Sequence, residues 1–124
     1  VENRANDQQP PEDLLIIAAL TLGLMSALDS AHEALTGYDW NAVRAARDDA
    51  CKRVPSDDAE NLLLRCAQDM LDVAARGLAA RHKGEEVFLE PLARRLVERT
   101  SPADRAADVF STSSPDEMVN LLTI

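Results

Sequence analysis

Aromatic side chains are scarce in this chain, at 3% of its 124 residues. With one Trp, one Tyr and two Phe, any hydrophobic core has to be built from Leu, Ala, Val and Ile. The apolar share of 46% is nevertheless normal for a globular protein. The chain therefore fits one small domain, or part of one, with a modest margin of stability.

Cysteine is also sparse, since Cys51 and Cys66 are the only two. A helical hairpin that turns near Val54–Pro55 would leave them out of register, because Cys66 lies much farther from the turn. We therefore expect two free, partly buried thiols, as in a reducing compartment, and a cytoplasmic location. A redox pair is the alternative.

The composition argues against several classes of partner. Thirteen Lys and Arg stand against 22 Asp and Glu, and the net charge of −9 speaks against a nucleic acid or an anionic membrane as the main partner. Leu14–Met25 is nearly all apolar, but about a dozen residues are too few to span a bilayer. That stretch predicts a buried core helix, and no secretory signal or transit peptide is visible.

Several common catalytic motifs are missing. There is no Gly-rich phosphate loop, nucleophile elbow or zinc motif. His32 and His82 are isolated, without a Cys or a second His at metal-ligand spacing, and we expect ordinary, partly exposed histidines. Asp57 and Asp58 favour the positive end of a helix dipole, which explains them without catalysis.

The spacing of apolar residues predicts a short strand followed by helices. Val1–Asn6 alternates like a strand, and Pro10–Pro11 then stops strand pairing. A single strand is costly unless another segment completes its sheet. The predicted helices run from about Pro11 to Leu35, Trp40 to Lys52, Asp57 to His82 and Glu85 to Arg99, followed by two short helices capped by Ser101 and Ser114.

Capping residues and apolar stripes support these helices. Asp39 and Ser56 are predicted N-caps, Gly37 is a predicted stop, and Ser114 with Glu117 forms a capping box. Helical periodicity also predicts which side chains of the third and fourth helices face inward. These are Leu63, Cys66, Ala67, Met70, Ala74, Leu78, Phe88, Leu89, Leu92 and Leu96.

The polar face of the opening strand carries the only candidate chemistry. Glu2 and Arg4 lie on the same side of a strand, about 7 Å apart at the backbone. A carboxylate is a hard oxygen ligand suited to Mg²⁺, and an arginine forks onto phosphate oxygens. Together they suit phosphoryl transfer. The alternative interpretation is a solvated strand face with a weak surface ion pair.

The opening stretch resembles a motif of glutamate–cysteine ligases and related carboxylate–amine ligases. "VENRANDQQP" fits their pattern E-x-R-x-x-D-x-x-P through Glu2, Arg4, Asp7 and Pro10. "ALTLGLM" resembles the family's buried helix after that motif, and "GEEVFLEPL" with "RTSPAD" resembles its helical C-terminal segment. The resemblance covers most of the chain, and its specific part is the opening motif.

This resemblance implies an α+β fold related to glutamine synthetase. In it, the strand over residues 1–6 completes an antiparallel sheet that an upstream segment or a second chain supplies, and residues 1–124 are the C-terminal portion of the catalytic domain. The implied reaction is amide formation through an acyl phosphate, with ATP, Mg²⁺ and amino-acid-like carboxylate and amine substrates. By motif position, Glu2 resembles a Mg²⁺ ligand, and Arg4 resembles the arginine that binds the transferring phosphoryl group of ATP.

Two departures limit what the resemblance implies. Asn3 replaces the usual apolar residue between the glutamate and the arginine, and "STSSPDE" stands where some members carry a Trp/Gly-containing ending. The family's other metal ligands and its nucleotide and glutamate sites lie upstream, so the chain alone is not expected to be active. The alternative hypotheses are a free-standing acidic helical module that binds a protein partner without catalysis, and a helical domain of an unrelated enzyme.

Overall fold

The computed structural model describes residues 13–52, 56–100, 102–112 and 114–122. Helix α4 is central, because α1, α2, α3, α5 and a 3-10 segment all pack against it. Helices α6 and α7 pack against each other. The elements are α1 (Leu14–Ser26), α2 (Leu28–Thr36), α3 (Trp40–Ala50), α4 (Asp57–Ala79), the 3-10 segment (Glu85–Leu89), α5 (Glu90–Glu98), α6 (Pro102–Thr112) and α7 (Pro115–Leu122).

The predicted α+β class is wrong. The part of the chain that the structure describes contains no strand or sheet, and the structure is 85% helical. The strand prediction rested on the alternation of residues over Val1–Asn6, which lies outside the described residues. The apolar residues of every later segment have helical spacing. Helix α4, rather than a sheet, is the element against which the others pack.

The predicted first helix, Pro11–Leu35, is two helices that meet at 88°. The break is at Ala27, whose φ of −129° and ψ of 44° lie outside the helical region. One local cause is Ser26, whose Oγ donates to the carbonyl oxygen of Leu22 at 2.8 Å. Hydroxyl bonds of this kind compete with the helical ladder and bend helices. The bend lets α2 return to α4.

Helices α1 and α4 cross with their backbones in contact. A Cβ atom on Gly77 would lie 2.1 Å from the carbonyl oxygen of Gly23. A Cβ atom on Gly23 would lie 2.4 Å from the carbonyl oxygen of Ala74. Only glycine allows this approach, which brings the flanking apolar side chains together. The buried cluster around the crossing consists of Ala19, Leu71, Ala74, Leu78 and Leu89.

The predicted inward stripe of α4 is right in its second half only. Ala74 and Leu78 are buried as predicted, whereas Ala67 is exposed. The buried row also includes Leu71 and Val73, because the crossing with α1 lies in the C-terminal half of α4. The predicted residues nearer the start of the helix are only partly buried: Leu63, Cys66 and Met70.

The inward residues of the fourth predicted helix are mostly confirmed. Leu89 is buried, and Leu92 and Leu96 pack against the buried cluster. Phe88 is wrong, since it is 41% exposed. The reason is that residues 85–89 form a 3-10 turn with three residues per turn, so the α-helical spacing used for the prediction does not apply there.

The predicted helix caps that lie within the described residues are confirmed, whereas Ser101 lies outside them. The Asp39 carboxylate accepts from the backbone N–H of Asn41 at 2.9 Å, and the Ser56 hydroxyl accepts from that of Ala59 at 3.4 Å. Glu117 accepts from the backbone N–H of Ser114 at 2.8 Å, as in a capping box, and Gly37 ends α2. These features depend on neighbours in sequence, which is why the sequence predicts them.

Both cysteines are free, as predicted. Cys66 is partly buried, and burial followed by the charge of Asp69 raises the pKa of its thiol. Cys51 is exposed, which differs from the prediction. His32 and His82 are both exposed.

The only tyrosine joins the turn after α2 to α4. The Tyr38 hydroxyl donates to the Asp69 carboxylate at 2.5 Å. This hydrogen bond, with burial and the charge of Asp69, raises the pKa of Tyr38 to about 12. Because the folded state favours the neutral phenol, the stabilisation is complete below the unfolded-state pKa of about 10 and is lost as the pH rises from about 10 to about 12.

A titration of tyrosinate absorbance measures this pKa directly, because no other tyrosine contributes. We expect a midpoint near pH 12 in the folded chain. The variant Asp69→Asn removes the charged acceptor, so its midpoint should fall towards about 10. An unchanged midpoint in Asp69→Asn would show that the carboxylate does not control the phenol.

Candidate interaction surface

The predicted ligase residues lie outside the described part of the chain. Glu2 and Arg4, with Asp7 and Pro10, all precede residue 13. Among the residues described, no group of three or more His, Cys, Asp or Glu could hold a metal ion. No single described helix is long and apolar enough to cross a membrane, and α1 with α2 meets that test only as a pair bent by 88°.

One side of α1 faces solvent with three apolar side chains and one threonine. Leu14, Ala18, Thr21 and Met25 are spaced three or four residues apart, so they lie on one side of the helix. All four are exposed, with Leu14 at 54% and Met25 at 70%. We call these four residues the α1 outer face. The side packed towards α4 carries the buried residues Ile16, Ala19 and Gly23.

The prediction of a buried core helix over Leu14–Met25 is right for one side of α1 only, because the α1 outer face is exposed. Leu14–Ser26 is apolar around its whole circumference, and α4 with the 3-10 segment covers only part of it. A helix that is apolar all round is normally buried. An exposed apolar helix face of this kind is a candidate site for the binding of another molecule.

The charges near α1 in the sequence are all negative. No lysine or arginine occurs between Arg4 and Arg44. Helix α1 itself carries no charge, Asp13 precedes it, and Asp29 and Glu33 follow in α2. This absence of basic residues was a signal in the sequence that the motif-based reasoning missed.

The 3-10 segment adds to the acidic surroundings of α1. This segment packs against α1 and carries the exposed carboxylate of Glu86. Glu90, at the start of α5, is exposed as well. The α1 outer face is thus an uncharged, mostly apolar stripe, with exposed acidic side chains on α2 and the 3-10 segment.

A buried ion pair fixes the start of α1. Asp13 is 3% exposed and accepts a hydrogen bond from the Arg95 guanidinium of α5. The two residues are 82 positions apart, so no local pattern indicates their contact. By tying the first turn of α1 to α5, this pair sets which side of α1 faces outward.

Comparison of the chain with models of protein families, with curated proteins and with solved structures finds no match. The function is therefore inferred from the chain's own surface.

Proposed function

We propose that this chain is an acidic helical protein-interaction module, and that the α1 outer face binds an amphipathic helix with basic borders. The observation that carries the proposal is an exposed, uncharged and mostly apolar helix face within residues 5–43, a stretch of the sequence that holds no lysine or arginine. A partner helix can lay its apolar stripe along such a face. Lysine or arginine at its borders would then meet the surrounding carboxylates.

Charge favours this partner over the other candidates. A second copy of the chain would bring two acidic regions together, and juxtaposed like charges oppose association. An anionic lipid surface would be repelled for the same reason. A basic-bordered helix combines apolar burial with attraction, and the attraction speeds encounter at low salt.

The ligase hypothesis stays a prediction. Its support is the opening motif with Glu2 and Arg4, and the implied ATP, Mg²⁺ and amino-acid-like substrates rest on that motif alone. Because the predicted α+β class is wrong, the fold that the resemblance implies no longer supports this hypothesis. Release of ADP from Mg²⁺-ATP is the reaction that it implies and that the interaction module does not.

Two synthetic peptides test the proposal. Both are amphipathic helices of about five turns with one leucine stripe, and they differ only in having lysine or glutamate along the borders of that stripe. Each is labelled, and its binding to the chain is measured by fluorescence anisotropy. We expect the lysine peptide to bind at least about tenfold more tightly, with the preference shrinking as salt rises.

Matched variants locate the site. Leu14→Gln with Met25→Gln removes apolar surface from the α1 outer face without changing charge, and we expect it to abolish the preference for the lysine peptide. Val97→Gln with Phe110→Gln removes two side chains that are at least as exposed but lie on α5 and α6, and it should bind like the unmodified chain. Circular dichroism checks that both variants fold.

Three results would overturn the proposal. The first is equal binding of the lysine and glutamate peptides. The second is an equal loss of binding in the two double variants. The third is that another molecule binds the α1 outer face. Self-association of the chain in sedimentation experiments, or its binding to vesicles of a zwitterionic lipid, would show this.

A further inference from the structure

A cleft of about 390 Å³ lies between α4 and α5, in a different part of the chain from the α1 outer face. None of the side chains that line it is acidic, although the chain as a whole carries a net charge of −9. Two are guanidiniums, two are amides and two are leucines. The lining residues are Asn61, Leu64, Arg65, Gln68, Leu96 and Arg99.

Arg99 adopts a backbone conformation that normally suits glycine. It follows the last residue of α5 with φ 53° and ψ 42°, in the left-handed region. An L-residue with a long side chain is strained there, and such strain is a pointer to function when the side chain has a task. From this position the Arg99 guanidinium donates to the side-chain Oδ1 of Asn61 at 3.1 Å and lies 3.6 Å from the Glu60 carboxylate.

Arg65 is the cation of the cleft that makes no close ion pair, and it also borders a second pocket with Asp39 and Asp69. Within the ranges that the structure describes, it makes no hydrogen bond or ion pair, whereas Arg47, Arg81 and Arg95 each pair with a carboxylate. Gln68, one turn further along α4, is held by a 2.8 Å bond to the Asp72 carboxylate. A guanidinium that makes no close ion pair, and that lines the same cleft as a second guanidinium, is available to donate hydrogen bonds to an anion.

We propose that this cleft binds a small carboxylate that carries an apolar tail. Arg65 and Arg99 hold the carboxylate, since a guanidinium matches its two oxygens with a fork of N–H donors. Leu64 and Leu96 contact the tail, and the Asn61 side-chain amide donates a further hydrogen bond, because its carbonyl oxygen already accepts from Arg99. The site does not depend on the α1 outer face.

Hexanoate is the probe, and binding is followed by two-dimensional NMR of the backbone amides. We expect saturable shifts confined to residues 61–68 and 96–99. Hexanamide has the same tail without the charge, and acetate has the charge without the tail. Each should bind at least about tenfold more weakly than hexanoate, because each lacks one of the two contacts.

Three variants separate the site from general electrostatics. Arg65→Gln should weaken hexanoate binding at least about tenfold. Arg99→Gly should weaken it similarly while leaving the melting temperature unchanged or higher, because glycine relieves the left-handed strain. Arg94→Gln removes an exposed charge from α5 that does not line the cleft, and its affinity should equal that of the unmodified chain.

The inference is overturned if hexanoate causes no saturable shifts, if hexanamide binds equally well, or if Arg94→Gln weakens binding as much as Arg65→Gln. A fall in the melting temperature of Arg99→Gly with unchanged hexanoate binding would also overturn it. That result would assign Arg99 to holding α5 against α4.

Discussion

Replacing Gly77 by alanine is expected to destabilise the chain by about 3 kcal/mol, at the upper end of what overpacking costs. The new Cβ atom would lie 2.1 Å from the carbonyl oxygen of Gly23. That neighbour is backbone and cannot rotate away, so α1 has to move off α4. In an exposed helix the same change would stabilise by about 1 kcal/mol, so the sign of the effect tests the crossing.

Urea denaturation measures the loss, and Gly37→Ala is the matched control. A Cβ atom at Gly37 would meet its nearest neighbour at an ordinary 3.6 Å, and its φ of −74° suits alanine. The control should therefore remain within about 0.5 kcal/mol of the unmodified chain. If both glycine variants keep their stability, the two backbones do not touch as described.

Asp13→Ala is the second large effect, with an expected loss of about 3 kcal/mol. The carboxylate is 3% exposed, and removing it leaves the Arg95 guanidinium unpaired with only 23% of its side chain exposed. An uncompensated charge in such a place costs more than the pair contributes when intact. Changing both partners to apolar residues, as in Asp13→Leu with Arg95→Met, should therefore recover much of the loss.

Asp48→Ala is the matched control for this prediction. It breaks the pair between Arg47 and Asp48, whose side chains are 70% and 63% exposed. Exposed pairs contribute about 0–1 kcal/mol, so thermal unfolding should change little. Equal losses in Asp13→Ala and Asp48→Ala would show that Asp13 is not buried in a pair.

Local features were predictable, whereas features set by distant contacts were not. Asp39 and Ser56 cap their helices as expected, because a cap depends on residues two or three positions away. The break at Ala27 has one local cause in Ser26, but it also depends on where α2 meets α4. The buried row of α4 depends on where α1 crosses, and neither contact leaves a periodic signal in the sequence.

The candidate site shows the same division. The ligase prediction relied on a motif at Glu2 and Arg4, which lie outside the described residues, so it stays a prediction. The α1 outer face could not be predicted from apolar spacing, because α1 is apolar all round and only its packing on α4 decides which side stays exposed. A count of basic residues along the chain could have pointed to it, since none occurs between Arg4 and Arg44.

The glycine crossing also governs how the chain opens. Since α1 and α4 meet backbone to backbone, neither can leave without exposing the other, and we expect the two to form one cooperative unit in hydrogen exchange. A partner on the α1 outer face would slow amide exchange along α4, whose side chains it never touches, because binding adds to the opening free energy of the unit. Helices α6 and α7, which pack on each other, would exchange at their own rate.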